Sequence, residues 1–203
     1  MKLEWYQRLY HGSNQIVKTP DLRLSREDID FGVGFYLTTD INMAKKWSVS
    51  RATSVLNTYS LDIKNLQIYT FQLNAEWLEY IRVCRGYGEN REEIKAVYEK
   101  YDVLIGPTAD DKLFDTVQQY LDGELDTSTT VRYLNVAGYA NQIVLKTQNA
   151  VDALHFTTSK EIFGLEKQQA KKMAREDRVQ AMNKLNEMKR QDIKRKEIND
   201  RNV

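Results

Sequence analysis

DFGVGFYLTTDINMAKKW, running from Asp30 to Trp47, is the stretch on which the reading of this chain turns. Gly32 and Gly34 bracket Val33 and permit backbone conformations and close approaches that a Cβ would obstruct. Phe35, Tyr36 and Leu37 then form a short aromatic and aliphatic run suited to a strand. Thr38, Thr39 and Asp40 end it, and the Asp40 carboxylate is placed to cap a helix starting near Ile41. Tyr36 and Trp47 lie eleven positions apart, so a strand ring and a helix ring are expected to face each other across a gap suited to a flat ligand. The FGVG segment lacks GxGxxG spacing, precedes a strand and has no Lys-Ser/Thr after it, which sets aside P-loop and Rossmann readings.

Outward from this stretch, apolar spacing places the other elements. Glu4 to His11 alternates bulky and polar side chains as a strand does, with Gly12 and Ser13 expected to end it. Asn14 to Asp28 reads as a loop with a helical turn at Ser25 to Asp28. Asn42 to Ala52 reads as a helix, Leu66 to Leu73 as a half-buried strand, and Ala75 to Cys84 as a helix capped by Asn74. YDVLIG, Tyr101 to Gly106, has the apolar run of a buried strand, which Pro107 is expected to stop. Asp111 to Leu121 and Ser128 to Val136 read as helices, and Gln142 to Thr147 and Ala153 to Thr157 as the last strands. Strands and helices do not alternate regularly, so the expected class is α+β.

With 203 residues, 41% hydrophobic and 29% charged, the chain is long enough for one domain with a core. One cysteine, Cys84, excludes an internal disulfide, and with only His11 and His155 beside it no metal is expected. Without a signal-peptide core at its start or an eighteen-residue apolar run, the chain is expected to be cytoplasmic and not membrane-bound. Residues 164–203 carry twelve Lys and Arg against seven Asp and Glu, a net of +5, which leaves −4 for residues 1–163. All three tryptophans and twelve tyrosines precede that boundary. The expected division is therefore a domain of residues 1–163 and a charged helical tail of 164–203. One heptad frame of the tail places Arg175, Val179, Met182, Asn186, Lys189 and Ile193 at a seam, too polar for a coiled coil. A partner protein, an antitoxin for instance, nucleic acid or the acidic part of the same chain are the occupants its charge suggests.

YHGS at 10–13, GVGFYLTTD at 32–40 and NQIVLKT at 141–147 stand in the order of the three motifs of the diphtheria-toxin and poly(ADP-ribose) polymerase branch of ADP-ribosyltransferases, which the chain resembles. It is closer still to a bacterial family catalogued as domain of unknown function 3990, through DFGVGFYLT at 30–38, Asn57 and Tyr59, YDVLIGPTAD at 101–110, and Asn141 with Gln142. The resemblance covers about residues 6–156 and implies a split β-sheet with peripheral helices, using NAD as co-substrate to transfer one ADP-ribose to a protein or nucleic acid, as a toxin or antiphage effector would.

In similar enzymes the residue at His11 bonds a ribose hydroxyl, the Gly12 backbone meets the nicotinamide amide, Ser13 bonds the carboxamide or a ribose, and Tyr36 and Trp47 sandwich the ring. Gln142 takes the place of the usual glutamate, whose charge stabilises an oxocarbenium-like transition state. Catalysis is expected to involve Gln142, His11 and Tyr36, with Gln142→Glu leaving or raising activity. Asp110 or Asp111 is a candidate compensating carboxylate, and Ala44 falls where relatives carry a carboxamide-binding serine. His155 reads as structural, and Asn57 and Tyr59 as shaping the acceptor side or closing a turn. The alternatives are a catalytically degenerate module that binds NAD or a nucleotide and acts through a partner, and a nucleic-acid binder led by the basic tail.

Overall fold

The computed structural model describes residues 5–49, 52–109, 114–136 and 138–201. Its strands are β1 (Trp5–Ser13), β2 (Phe35–Thr38), β3 (Val55–Asp62), β4 (Ile68–Thr70), β5 (Val103–Pro107), β6 (Asn141–Leu145) and β7 (Leu154–Glu161). They form one sheet of order β4-β5-β6-β2-β1-β3-β7, in which β4 and β5 are parallel and every other neighbouring pair is antiparallel. The helices are α1 (Ile41–Val49), α2 (Ala75–Cys84), α3 (Arg91–Ala96), α4 (Phe114–Leu121), α5 (Thr127–Asn135), α6 (Gln148–Asp152) and α7 (Gly164–Arg201). The α+β class thus stands.

The joint between the two halves of the sheet is narrow. β2 registers with β6 over four residue pairs, Phe35 to Leu145 through Thr38 to Gln142, and β1 registers with β3 along most of its length. Between β1 and β2 the register consists of Tyr10 opposite Thr38. Beyond that pair, toward Gly12 and Phe35, the two strands are not laddered together.

Pleating sorts the strand residues onto two faces. Tyr36, Val144 and Leu104 share one face with Trp77, Leu78 and Ile81 of α2 and with Phe31 and Phe71. Leu9, Leu37, Tyr59, Val103, Ile143 and Leu145 share the other, against Ala150 and Val151 of α6. α1 covers the first face over Gly12, where an added Cβ would lie 1.9 Å from the Ala44 carbonyl oxygen. Its N-terminus is capped as the sequence leads one to expect, with Asp40 Oδ1 accepting from the Asn42 and Met43 amides at 2.8 and 3.3 Å. Asn74 caps α2 through the Trp77 amide at 3.0 Å.

Several local expectations give way to tertiary context. Gly12 and Ser13 continue β1 because they pair with Leu56 and Val55 of β3. Pro107 is the last residue of β5 and faces Asn141, since a strand can close on a residue whose amide is not needed. The turn in the Asn14 to Asp28 loop is a 3-10 turn at Leu22–Leu24, capped by Asp21, and the charged segment after Asn90 forms α3.

α7 lies against the body. Ala170, Ala181 and Leu185 are buried, with Ala181 and Leu185 joining the core beside Tyr133 and Met182. The docked line runs Ala170, Ala174, Asp177, Ala181, Leu185, Met188 and Asp192, a spacing of 22 residues in six turns. That period is close to an unsupercoiled helix, and its alanines and aspartates hide it from a search for large apolar residues. Among the described residues no helix is long and apolar enough to cross a membrane.

Candidate functional site

Three separated motifs meet at one carboxylate. Asp30, 5% exposed, receives Arg85 Nη2 at 2.6 Å on Oδ1, and on Oδ2 the Ala109 amide at 2.7 Å and Gln142 Nε2 at 3.0 Å. Gln142, 3% exposed, sends its other amide hydrogen to the Pro107 carbonyl at 3.2 Å, which also accepts from Trp77 Nε1 at 3.1 Å. DFG supplies the carboxylate, the IGPTA segment supplies a carbonyl and an amide, and the NQ pair supplies the side chain between them. The meeting of these motifs has a physical cause: a buried charge must be paired and fully hydrogen-bonded.

This geometry fixes the Gln142 amide. Its nitrogen faces two acceptors, so Oε1 is the end able to accept a hydrogen bond. A glutamate at this position has no hydrogen to give Asp30 or Pro107, and its charge would stand against the Asp30 carboxylate. The expectation that Gln142→Glu leaves or raises activity has this geometry against it, since the substitution loses both hydrogen bonds that Gln142 Nε2 donates. Gln142 is a fitted member of the site.

Thr38, opposite both Tyr10 and Gln142, places these three in one row across β1, β2 and β6, and Gly106 extends the row to β5. At Gly106 a Cβ would meet the Phe31 ring at 2.9 Å, so the row closes against the DFG turn. That turn is anchored from below. Tyr36 donates its hydroxyl to the Gly32 carbonyl at 2.7 Å and accepts from the Phe31 amide at 3.1 Å, and Lys146 Nζ donates to the Phe31 and Val33 carbonyls. Gly32, at φ +66, makes the bend. Burial raises the Tyr36 phenol well above its ordinary pKa and lowers that of Lys146 to about 8.

His11 occupies the unladdered seam between β1 and β2. Its Nδ1 lies 2.8 Å from the Tyr36 carbonyl oxygen, so Nδ1 carries the proton and donates it there. Its ring rests on Phe35, with centroids 4.4 Å apart. Ser13, 8% exposed, holds the start of the following loop, its hydroxyl accepting from the Gln15 amide at 3.4 Å.

The candidate residues thus divide between the two faces of the sheet. Tyr36 and Gln142 lie on the α1 face, where half-buried Trp47 sits on the helix, whereas His11 and Ser13 lie on the opposite face, and His11 touches the first set through the Tyr36 carbonyl. Two local reasons change as a result. The Cβ-free space at Gly12 is filled by the Ala44 carbonyl of α1, and Tyr36 acts first as an anchor of the glycine turn, its hydroxyl committed to Phe31 and Gly32.

Asn57 and Tyr59 close a turn: Asn57 bonds the Val17 amide at 3.0 Å and the Gln15 carbonyl at 3.1 Å, and Tyr59 the Val17 carbonyl at 2.5 Å. His155 faces Ser60 on β3. Asp110 and Asp111 lie outside the described residues. Among the described residues no cluster of His, Cys, Asp or Glu could hold a metal.

Sequence reading missed Asp30 and Arg85 as site residues. Asp30 was visible as the first letter of a motif, but its partner carries no periodic signal. Arg85 is the first residue after α2, and only the fold brings it to Asp30.

No curated protein and no solved structure matches the chain. A family model does, over residues 7–156, a span that holds His11, Asp30, Arg85 and Gln142, and the chain belongs to that family, described as protein of unknown function (DUF3990).

Proposed function

We propose that the protein is an NAD-dependent mono-ADP-ribosyltransferase acting on a macromolecular acceptor. The observation that carries this reading is the seam between β1 and β2. The sheet is joined there through a single registered pair beside His11, and Gln142 stands in the row that closes the seam, whose backbone a carboxamide would meet. The order of the His-Gly-Ser, Gly-x-Gly-aromatic-Tyr and Asn-Gln motifs supports the same reading.

In the proposed reaction the bond between nicotinamide nitrogen and ribose C1′ breaks. Nicotinamide leaves with the bonding electron pair, and an acceptor nucleophile bonds C1′ and gives up its proton. His11 would meet a ribose hydroxyl through Nε2, because Nδ1 is taken by Tyr36. Gln142 Oε1 would accept from the hydroxyl of the nicotinamide ribose, held in that sense by Asp30 and Pro107. Trp47 on α1 would bound the nicotinamide.

The test is nicotinamide release and a mass-spectrometric search for ADP-ribose adducts after incubating wild type and His11→Ala with NAD and cell lysate. Adducts with wild type alone are expected. If wild type yields neither nicotinamide nor adducts, the transferase reading fails.

A second reading, an NAD-binding module without transfer, is favoured by the neutral Gln142 amide, which supplies no negative charge to a developing cation. It predicts that NAD raises Tm while nicotinamide release stays at background.

A further inference from the structure

Docking sorts the charges of α7. Glu166 pairs with Lys45 at 2.9 Å and Lys160 at 2.6 Å, Asp177 pairs with Lys46, and Asp192 receives Arg132 at 2.7 Å and the Tyr133 hydroxyl at 3.0 Å. Lys160 and Lys45 hold Glu166 below its ordinary pKa, and Arg132 does the same for Asp192. Three acids of the helix, Glu166, Asp177 and Asp192, are thus turned inward onto bases of the body, the reverse of a basic tail meeting an acidic core.

What faces outward is basic. Lys171, Lys172, Arg175, Arg178, Arg190 and Lys194 are exposed; Lys172, Arg175, Arg190 and Lys194 fall on the side of the helix away from the docked line of Ala170, Ala181 and Asp192, and Lys171 and Arg178 stand on its flank. Glu176 and Glu187, eleven residues apart, share one edge of that side, where Glu176 meets Lys172 at 3.7 Å, and Glu197 lies within it. Four of the bases fall between Lys171 and Arg178, within a helix of 38 residues that is about 57 Å long at 1.5 Å per residue. Leu165, Met173, Val179, Ile193 and Ile198 are exposed, but no two within four turns of each other stand in line along the helix. No apolar stripe is available for a lipid surface or for the hydrophobic centre of a protein interface.

We propose that this outward face of α7 is a docking surface for the phosphodiester backbone of a nucleic acid. Cations spread along about 35 Å of helix, with exposed apolar side chains scattered singly among them and no aromatic, fit an extended, regularly charged polyanion, and they read phosphate instead of base. The face is present whether or not the seam around His11 cleaves NAD, so the two proposals stand or fall separately.

The probe is a labelled 20-nucleotide single-stranded RNA, with a 20-base-pair DNA duplex as second arm, titrated with the full chain by fluorescence anisotropy from 25 to 200 mM salt. Wild type is expected to bind at least one of them, with affinity falling steeply with salt. Lys171→Glu/Lys172→Glu/Arg175→Glu/Arg178→Glu is expected to weaken binding more than tenfold at 50 mM salt. It should also make the plot of log K against log salt shallower by about 3 for the single strand, at ~0.7 for each phosphate that the variant no longer neutralises.

Arg190→Gln/Lys194→Gln should weaken binding by a smaller factor in the same direction, while His11→Ala binds as wild type does. Circular dichroism and Tm check that each variant folds, as expected for solvent-facing side chains. Absence of binding at 25 mM salt to either probe, or affinity within twofold of wild type for both sets of variants, overturns the proposal. So does equal affinity for a poly-glutamate peptide, which would assign the face to an acidic protein.

Discussion

The corner around Asp30 and the seam around His11 lie on either side of the same short strand, yet they are built on opposite principles. The corner is closed: a carboxylate, a guanidinium and an amide, each nearly sealed from water, satisfy one another and two backbone groups. At the seam a strand ladder stops after one pair, and a histidine side chain takes a carbonyl that the ladder would otherwise use. The difference teaches where stability and function are separable. A substitution in the corner disturbs folding before chemistry, whereas one in the seam leaves in place the core of Leu9, Leu37, Tyr59 and Ile143 that joins the two halves of the sheet.

Arg85→Ala should have the largest effect. It leaves Asp30 buried without its cation, a loss of about 3–5 kcal/mol in unfolding free energy, measured by urea denaturation. Adding Asp30→Asn should recover a large part of that loss, and a double variant no more stable than the single one would break the account of the corner as a charge-pairing unit. Gln142→Glu comes next. A second carboxylate about 3 Å from Asp30 should cost about 2–3 kcal/mol at pH 7, the equivalent of ~2 pKa units of like-charge repulsion. Because one of the two carboxyls has its folded-state pKa raised, the deficit should shrink as pH falls toward 4, and Asp30→Asn/Gln142→Glu should remove it.

On the seam side, Gly12→Ala tests whether the glycine serves α1. The new Cβ would fall 1.9 Å from a backbone oxygen, so a loss of about 1–3 kcal/mol is expected, with α1 displaced. Unchanged stability would show that the helix can yield there. His11→Ala should sharpen the contrast most: about 1 kcal/mol or less in stability, for one neutral hydrogen bond, with nicotinamide release abolished.

The smallest effect concerns Lys146, whose pKa falls from 10.5 to about 8 through burial. Between those values the unfolded chain binds more protons than the folded one, so this group's contribution to stability rises with pH. The Tm advantage of wild type over Lys146→Met should therefore grow from pH 8 to pH 10.

The stretch from Asp30 to Trp47 carried much of the local structure in its letters. Apolar residues after a glycine pair made β2, and a carboxylate before a periodic run made the α1 cap. The Ala75–Cys84 helix was legible for the same reason, through its apolar spacing and Asn74. α3 and α6 were not, because six and five residues are too short to show a period. The docking of α7 was hidden because three alanines and two paired aspartates make up most of its inward line, beside Leu185 and Met188, and neither alanine nor aspartate announces burial.

By itself the sequence determined the class of the fold, the strand and helix that hold Tyr36 and Trp47, and the order of the motifs, since these depend on neighbours a few residues apart. Tertiary structure alone decided that Arg85 reaches Asp30 and that the Gln142 amide is spent on Asp30 and Pro107. It also decided that His11 and Tyr36 point to opposite faces, and that Glu166, Asp177 and Asp192 of α7 turn inward while Lys172, Arg175, Arg190 and Lys194 turn out. Those outcomes depend on which strands become neighbours and in what register, and a shift of one residue in register exchanges every side chain between faces.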